Sequence, residues 1–172
     1  MSQQPSEPSR STAAASVPHS PNFGFLAKHH SLLVRYAAQA ERFVFEDANL
    51  ALIRLRQFAE LLAQQAAARV GIVVTELDDL SIVLSRLRER HVFTSEVLDL
   101  FHGLRKAGNA AVHAHAGDRS EALHQLRMAR SLGVWFHRAF GNDAHFKPGP
   151  FLPPPDPIQA GQRLAEELET NR

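Results

Sequence analysis

The chain has 172 residues with 44% apolar side chains, no Cys and a formal net charge of +1. That length suits one domain with tails. The missing Cys excludes disulfide scaffolds and thiolate metal sites, and the near-zero charge excludes recognition of nucleic acid by bulk field alone. Arg outnumbers Lys sixteen to three. Arg is the better planar phosphate or carboxylate fork, but coding bias is the plainer explanation, since Ala is also abundant. No stretch reaches the ~20 apolar residues of a membrane span, and the N-terminus lacks a signal-peptide core. A cytoplasmic protein is expected.

Residues 1–21 are mainly Ser, Pro, Gln and Ala, too few large apolar groups to offset chain entropy. They read as a disordered tail. Residues 22–146 read as helical almost throughout, being rich in Ala, Leu, Arg, Glu and Gln. The first helix is expected over Ser31–Phe45, capped by Ser31, with Leu32, Leu33, Tyr36, Ala40 and Phe43 at helical spacing. The second starts at Asp47 or Asn49 and runs to about Val70. Leu52, Leu55, Phe58, Ala59, Leu62 and Ala66 form its stripe, and Gly71 follows as the terminating residue.

A third helix is expected over Asp78–Arg90, with Leu80, Val83, Leu84 and Leu87 inward. The fourth starts near Thr94 and continues to about His115, its core face being Val97, Leu98, Phe101 and Leu104. The fifth spans Asp118 to about Phe140, capped by Asp118 or Ser120, with Gly141 as its stop. Short connections favour antiparallel neighbours, so the expected fold class is all-α, an up-and-down bundle of four to five helices. Residues 147–157 contain six Pro and read as an extended strap or linker. Residues 158–172 hold a short amphipathic helix with Ile158, Leu164 and Leu168.

The chemistry-bearing feature is the run Leu104-Arg-Lys-Ala-Gly-Asn-Ala-Ala-Val-His113. If helical, it places Arg105, Asn109 and His113 on one face, four residues apart. A guanidinium, an amide and an imidazole in a row can hold a phosphate and move a proton, or can form a buried polar network. Gly108-Asn109 could instead be a turn. A helix that keeps Gly108 at ~1 kcal/mol against Ala implies a close approach by another helix. On the second helix, Arg56 and Glu60 at i, i+4 read either as a solvated pair or as a buried network in which Glu60 holds Arg105 or Arg56.

Leu55-Arg-Gln-Phe-Ala-Glu-Leu-Leu62, followed by the Arg105–His113 run, resembles a helical domain of unknown function. That domain occurs at the N-terminus of HsdR-like type I restriction endonuclease subunits and is similar to a branch of the HEPN superfamily. The segments Asn22-Phe-Gly-Phe-Leu-Ala-Lys-His, Trp135-Phe-His-Arg-Ala-Phe-Gly and Pro148-Gly-Pro-Phe carry the same resemblance, which spans about residues 22–157. It implies a bundle that often dimerises, with the polar motif of each copy facing a shared cleft. In active HEPN nucleases an Arg and a His on one helix cleave RNA without metal. Carried onto this chain, His113 is the acid or base, Arg105 the phosphate clamp and Asn109 a positioning donor. The active pattern has four to six residues between Arg and His, whereas seven lie between Arg105 and His113.

The leading expectation is therefore a non-catalytic accessory and dimerisation module of a bacterial restriction-modification or defence protein. It would position RNA, DNA or other restriction-system subunits. The alternatives are a metal-independent HEPN-type endoribonuclease and a purely structural dimerisation domain. No cofactor and no metal site are expected. His113 and His115 face different sides of a helix, and no acidic cluster lies nearby. Trp135, Phe136 and Phe140 are expected in the core, and Arg119, Arg127, Arg130 and Arg138 on a solvated face.

Overall fold

The computed structural model describes residues 16–172. It holds a short 3-10 turn, Gly24–Leu26, and six helices: α1 (Ser31–Phe43), α2 (Ala48–Arg69), α3 (Leu80–Glu89), α4 (Ser95–Ala114), α5 (Arg119–Phe140) and α6 (Pro157–Thr170). No strand occurs among the described residues, so the fold is all-α. No helix of the described residues is long and apolar enough to cross a membrane.

Local chemistry fixes most helix starts. Asp47, Asp79, Thr94 and Asp118 each accept the backbone N–H three residues on, from Leu50, Ile82, Val97 and Glu121. Each bond satisfies an amide that the helix leaves free. The first helix departs from expectation: His30, not Ser31, is its cap, with the imidazole Nδ1 accepting the Leu32 N–H at 3.1 Å. It also ends two residues early, at Phe43, where Asp47 N–H turns back to the Phe43 carbonyl. Asp78 lies outside α3. Its carboxylate accepts from Thr75 N–H and from both Arg86 terminal nitrogens, tying the α2–α3 loop to α3. Gly71 follows α2 with φ +76°, a left-handed conformation that needs no side-chain strain in glycine.

α2 is the central element and packs against α1, α3, α4 and α5. Leu52, Leu55, Phe58 and Leu62 fill one side, while the buried Ala51, Ala59, Ala63, Ala66 and Ala67 let neighbouring helices come close. α4 runs antiparallel to α2. Gly117 N–H donates to Asn49 Oδ1 at 2.9 Å, and Gly108, nine residues earlier, abuts Arg56. α5 runs parallel to α2, since Arg119 lies over Phe45 at one end and Arg69 reaches the Phe140 carbonyl at the other.

The expected tail, residues 1–21, needs a correction at its inner end. Residues 1–15 lie outside the described residues. Ser20 and Asn22 are buried. The Ser20 hydroxyl accepts the Phe23 N–H at 3.2 Å and donates to Glu41. This turn seats Phe23 edge-on to Phe58, with ring centroids 5.5 Å apart. One aromatic anchor thus recruits polar neighbours whose own composition gives no reason to pack. α6 behaves in the opposite way: none of its residues is buried, and it packs on no other element.

Candidate functional site

Gly108 lies inside α4, not in a turn. A Cβ added there would stand 2.4 Å from Arg56 Cβ, closer than real carbon atoms approach. The α2–α4 crossing therefore requires glycine, which answers why a mid-helix Gly is kept. The same approach brings Arg56 Nη1 within 3.0 Å of Asn109 Oδ1. Arg56 Nε also lies 3.4 Å from Glu60 Oε1, with the two side chains 25% and 39% exposed. At that distance and alignment the Nε makes an electrostatic contact rather than a formed hydrogen bond. The pair sits at the edge of the seam, between the solvated and the buried arrangement.

The structure brings Arg56, Glu60 and Asn109 together, and it leaves Arg105 and His113 apart. Arg105 is half-buried, and its enclosed Nε has no hydrogen-bond partner among the described residues. Glu60 pairs with Arg56 and makes no ion pair with Arg105. His113 is exposed near the end of α4. Eight residues of helix separate the two backbones by about 12 Å. Asn109 between them is turned across to α2. His102 stands one turn before Arg105, with its imidazole Nδ1 enclosed and unpaired among the described residues. Burial first, then the Arg105 and Lys106 charges, hold its pKa below the ordinary histidine value. A neutral imidazole therefore lies closer in sequence to Arg105 than His113 does. Its i, i+3 spacing was the available signal.

A second polar centre was not foreseen. Arg130, expected on a solvated face, is buried. Its guanidinium donates to three backbone carbonyls: Asn22 at 3.3 Å, Gly149 at 3.1 Å and Pro148 at 2.8 Å. Asn22 completes the clasp. Its Nδ2 donates to the Leu152 carbonyl, and its Oδ1 accepts the Leu152 N–H, both at 2.8 Å. The Asn22 and Pro148 segments thus meet on α5. The readable signal was register: Leu126, Arg130, Gly133 and His137 share the buried face of α5.

A third centre joins His29, His137 and Asp143. His29 Nε2 lies 2.9 Å from His137 Nδ1, and His137 Nε2 lies 3.3 Å from Asp143 Oδ2. His137 Nε2–H donates to the Asp143 carboxylate, and His29 and His137 share one proton across the 2.9 Å contact. Burial, then the charges of His137, Arg69 and Lys28, push the His29 pKa down to about 4. Among the described residues no three His, Cys, Asp or Glu side chains could together hold a metal ion.

Residues 38–132, more than half of the chain, match the family described as Domain of unknown function (DUF4145). The chain is also 31% identical over 133 residues to the type I restriction enzyme EcoKI endonuclease subunit of Escherichia coli (strain K12). That match covers 77% of this chain and 11% of the relative, so the chain spans a small fraction of that subunit's length. No solved structure matches. The matched region holds the whole α2–α4 seam, including Arg56, Gly108 and Asn109, and the chain belongs to the DUF4145 family, a domain of unknown function related to type I restriction enzymes.

Proposed function

We propose that this chain is a HEPN-like helical accessory and dimerisation module of a bacterial restriction-modification or defence protein. It works in the cytoplasm, positioning nucleic acid or partner subunits without cutting. The observation that carries this reading is the 3.0 Å Arg56–Asn109 bond at the Gly108 crossing. It commits the middle of the polar row to holding α2 against α4. Arg105 and His113, some 12 Å apart along the helix axis, are left without a shared focus for one phosphate.

The test is incubation of the purified chain with RNA in EDTA, beside Arg105→Ala and His113→Ala. The expected result is intact RNA in all three samples with helicity retained. Cleavage by the wild type that disappears in both variants would overturn the non-catalytic reading. It would establish the alternative, a metal-independent endoribonuclease. One observation favours that alternative: the Arg105 side chain makes no hydrogen bond among the described residues, and His113 is exposed. Both groups are thus free to meet a substrate, and a second copy would have to bring them together.

A further inference from the structure

The outer face of α5 carries a groove that the α2–α4 seam does not use. Its volume is about 680 Å³, and it lies between α5 and the strap. Arg127 and Arg138 mark its two ends along α5, with Val134, Trp135, Pro148 and Phe151 between them. No carboxylate lines it among the described residues. The two arginines are exposed yet held in place. Arg127 lies 4.5 Å over the Phe151 ring, and Arg138 donates to the Phe146 carbonyl at 2.7 and 3.0 Å. They stand about 16 Å apart along the helix axis, at 1.5 Å per residue. The groove thus offers an apolar, aromatic floor with a cation at each end.

α6 presents the complement. Ile158, Leu164 and Leu168 are 56%, 58% and 63% exposed and form one apolar side of the helix. From Ile158 to Leu168 the stripe is about 15 Å long, close to the spacing of the two arginines. Glu167 and Glu169 border it. An amphipathic helix seated by its apolar face in a groove is a recurring recognition mode, and acidic borders suit an arginine rim. The linker decides whose groove is filled. Pro153, Pro154 and Pro155 lie between Phe151 and α6. Consecutive prolines favour an extended segment of ~3.1 Å per residue, which carries α6 away from its own groove. We infer that α6 of one copy occupies the α5–strap groove of a second copy, each giving a helix and receiving one about a two-fold axis. The inference rests on the dimeric reading above and assigns that dimer a surface away from the α2–α4 seam.

The experiment measures dimerisation of the full chain by sedimentation at graded concentration. It uses the wild type, Leu164→Glu/Leu168→Glu and Arg127→Glu/Arg138→Glu. The expected result is a wild-type dimer whose dissociation constant rises about tenfold or more in each variant, about 1.4 kcal/mol. Mixing the two variants should restore association partially, because the mixed dimer keeps one intact helix–groove pair. The α6 changes fall on exposed positions that touch no other element, so they leave the bundle folded and keep the test decisive. A wild-type monomer would overturn both this inference and the dimeric reading. A dimer equally tight in both variants would overturn the groove assignment alone. Variants that weaken the dimer but do not recover on mixing would overturn the exchange.

Discussion

Two arginines of this bundle, Arg56 and Arg130, have exchanged the roles that their sequence settings suggest. Arg56 belongs to the motif-bearing region, yet it lies at a partly wet seam, shared between one amide oxygen and one carboxylate. Arg130 sits in an ordinary-looking run of arginines, yet it is buried with three carbonyl partners and no carboxylate among the described residues. Its burial depresses its pKa, but arginine has so high a starting value that it stays charged. Among the described residues, backbone dipoles alone hold that charge. Arginine therefore follows geometry here: it goes where carbonyls converge, and the motif region receives the weaker polar contacts.

The contrast can be broken most forcefully at Arg130. Arg130→Ala leaves three carbonyls without their donor and frees the strap. Each buried acceptor left unsatisfied costs about 1–3 kcal/mol, and denaturant titration should show a loss of several kcal/mol. A loss below about 1 kcal/mol would mean that solvent already reaches the guanidinium. Next comes Gly108→Ala. The new methyl meets Arg56 Cβ at 2.4 Å, and overpacking of this kind costs about 1–3 kcal/mol, against the ~1 kcal/mol that Ala gains in a helix. A lowered melting temperature is expected, and a raised one would show that the α2–α4 crossing is loose.

The pH dependence sharpens the comparison with the His29 centre. His29 has its pKa pushed from 6.5 to about 4 in the folded protein, so folding favours its neutral form. That contribution is fully present above pH 6.5 and is lost as the pH falls toward 4. Lys28, Arg69 and His137 oppose its protonation, while Asp143 faces it only through His137. His29→Gln keeps a donor for His137 but does not titrate. Its stability should fall less steeply than the wild type between pH 6.5 and 4, and parallel profiles would remove His29 from the account. The smallest effect is expected at Asn109→Ala. It removes one partly exposed charge-assisted bond and should cost about 1 kcal/mol, with α4 helicity unchanged by circular dichroism.

Most of the helical frame was readable in the sequence because short-range chemistry writes it. Asp47, Thr94 and Asp118 cap where their side chains reach the third amide on, and the Leu and Phe stripe of α2 faces the core as its period requires. The cap at His30 was hidden because imidazole is an uncommon acceptor at a helix start, while Ser31 beside it is a common one. The site was less readable. Gly108 announced a close crossing, but nothing local said that Arg56 would be its partner across 53 residues. Arg130 and Asn22 are 108 apart. Their meeting depends on how the strap returns over α5, which periodicity along one helix does not encode. Register alone could have shown Arg130 to be inward, since it follows Leu126 by one turn.

The Asn22–Leu152 pairing also makes the bundle a mechanically closed loop. The two residues are 130 apart in sequence, and two backbone-directed hydrogen bonds join them. Tension that separates the segment before Ser20 from the segment after Leu152 therefore loads the Ser20–Glu41 bond, this clasp and the Arg130 carbonyl contacts first. The Leu and Phe core bears none of it until those few bonds part. A bundle tethered through these two segments would transmit small pulls as rigid-body motion, and it would unravel only beyond a threshold set by the clasp.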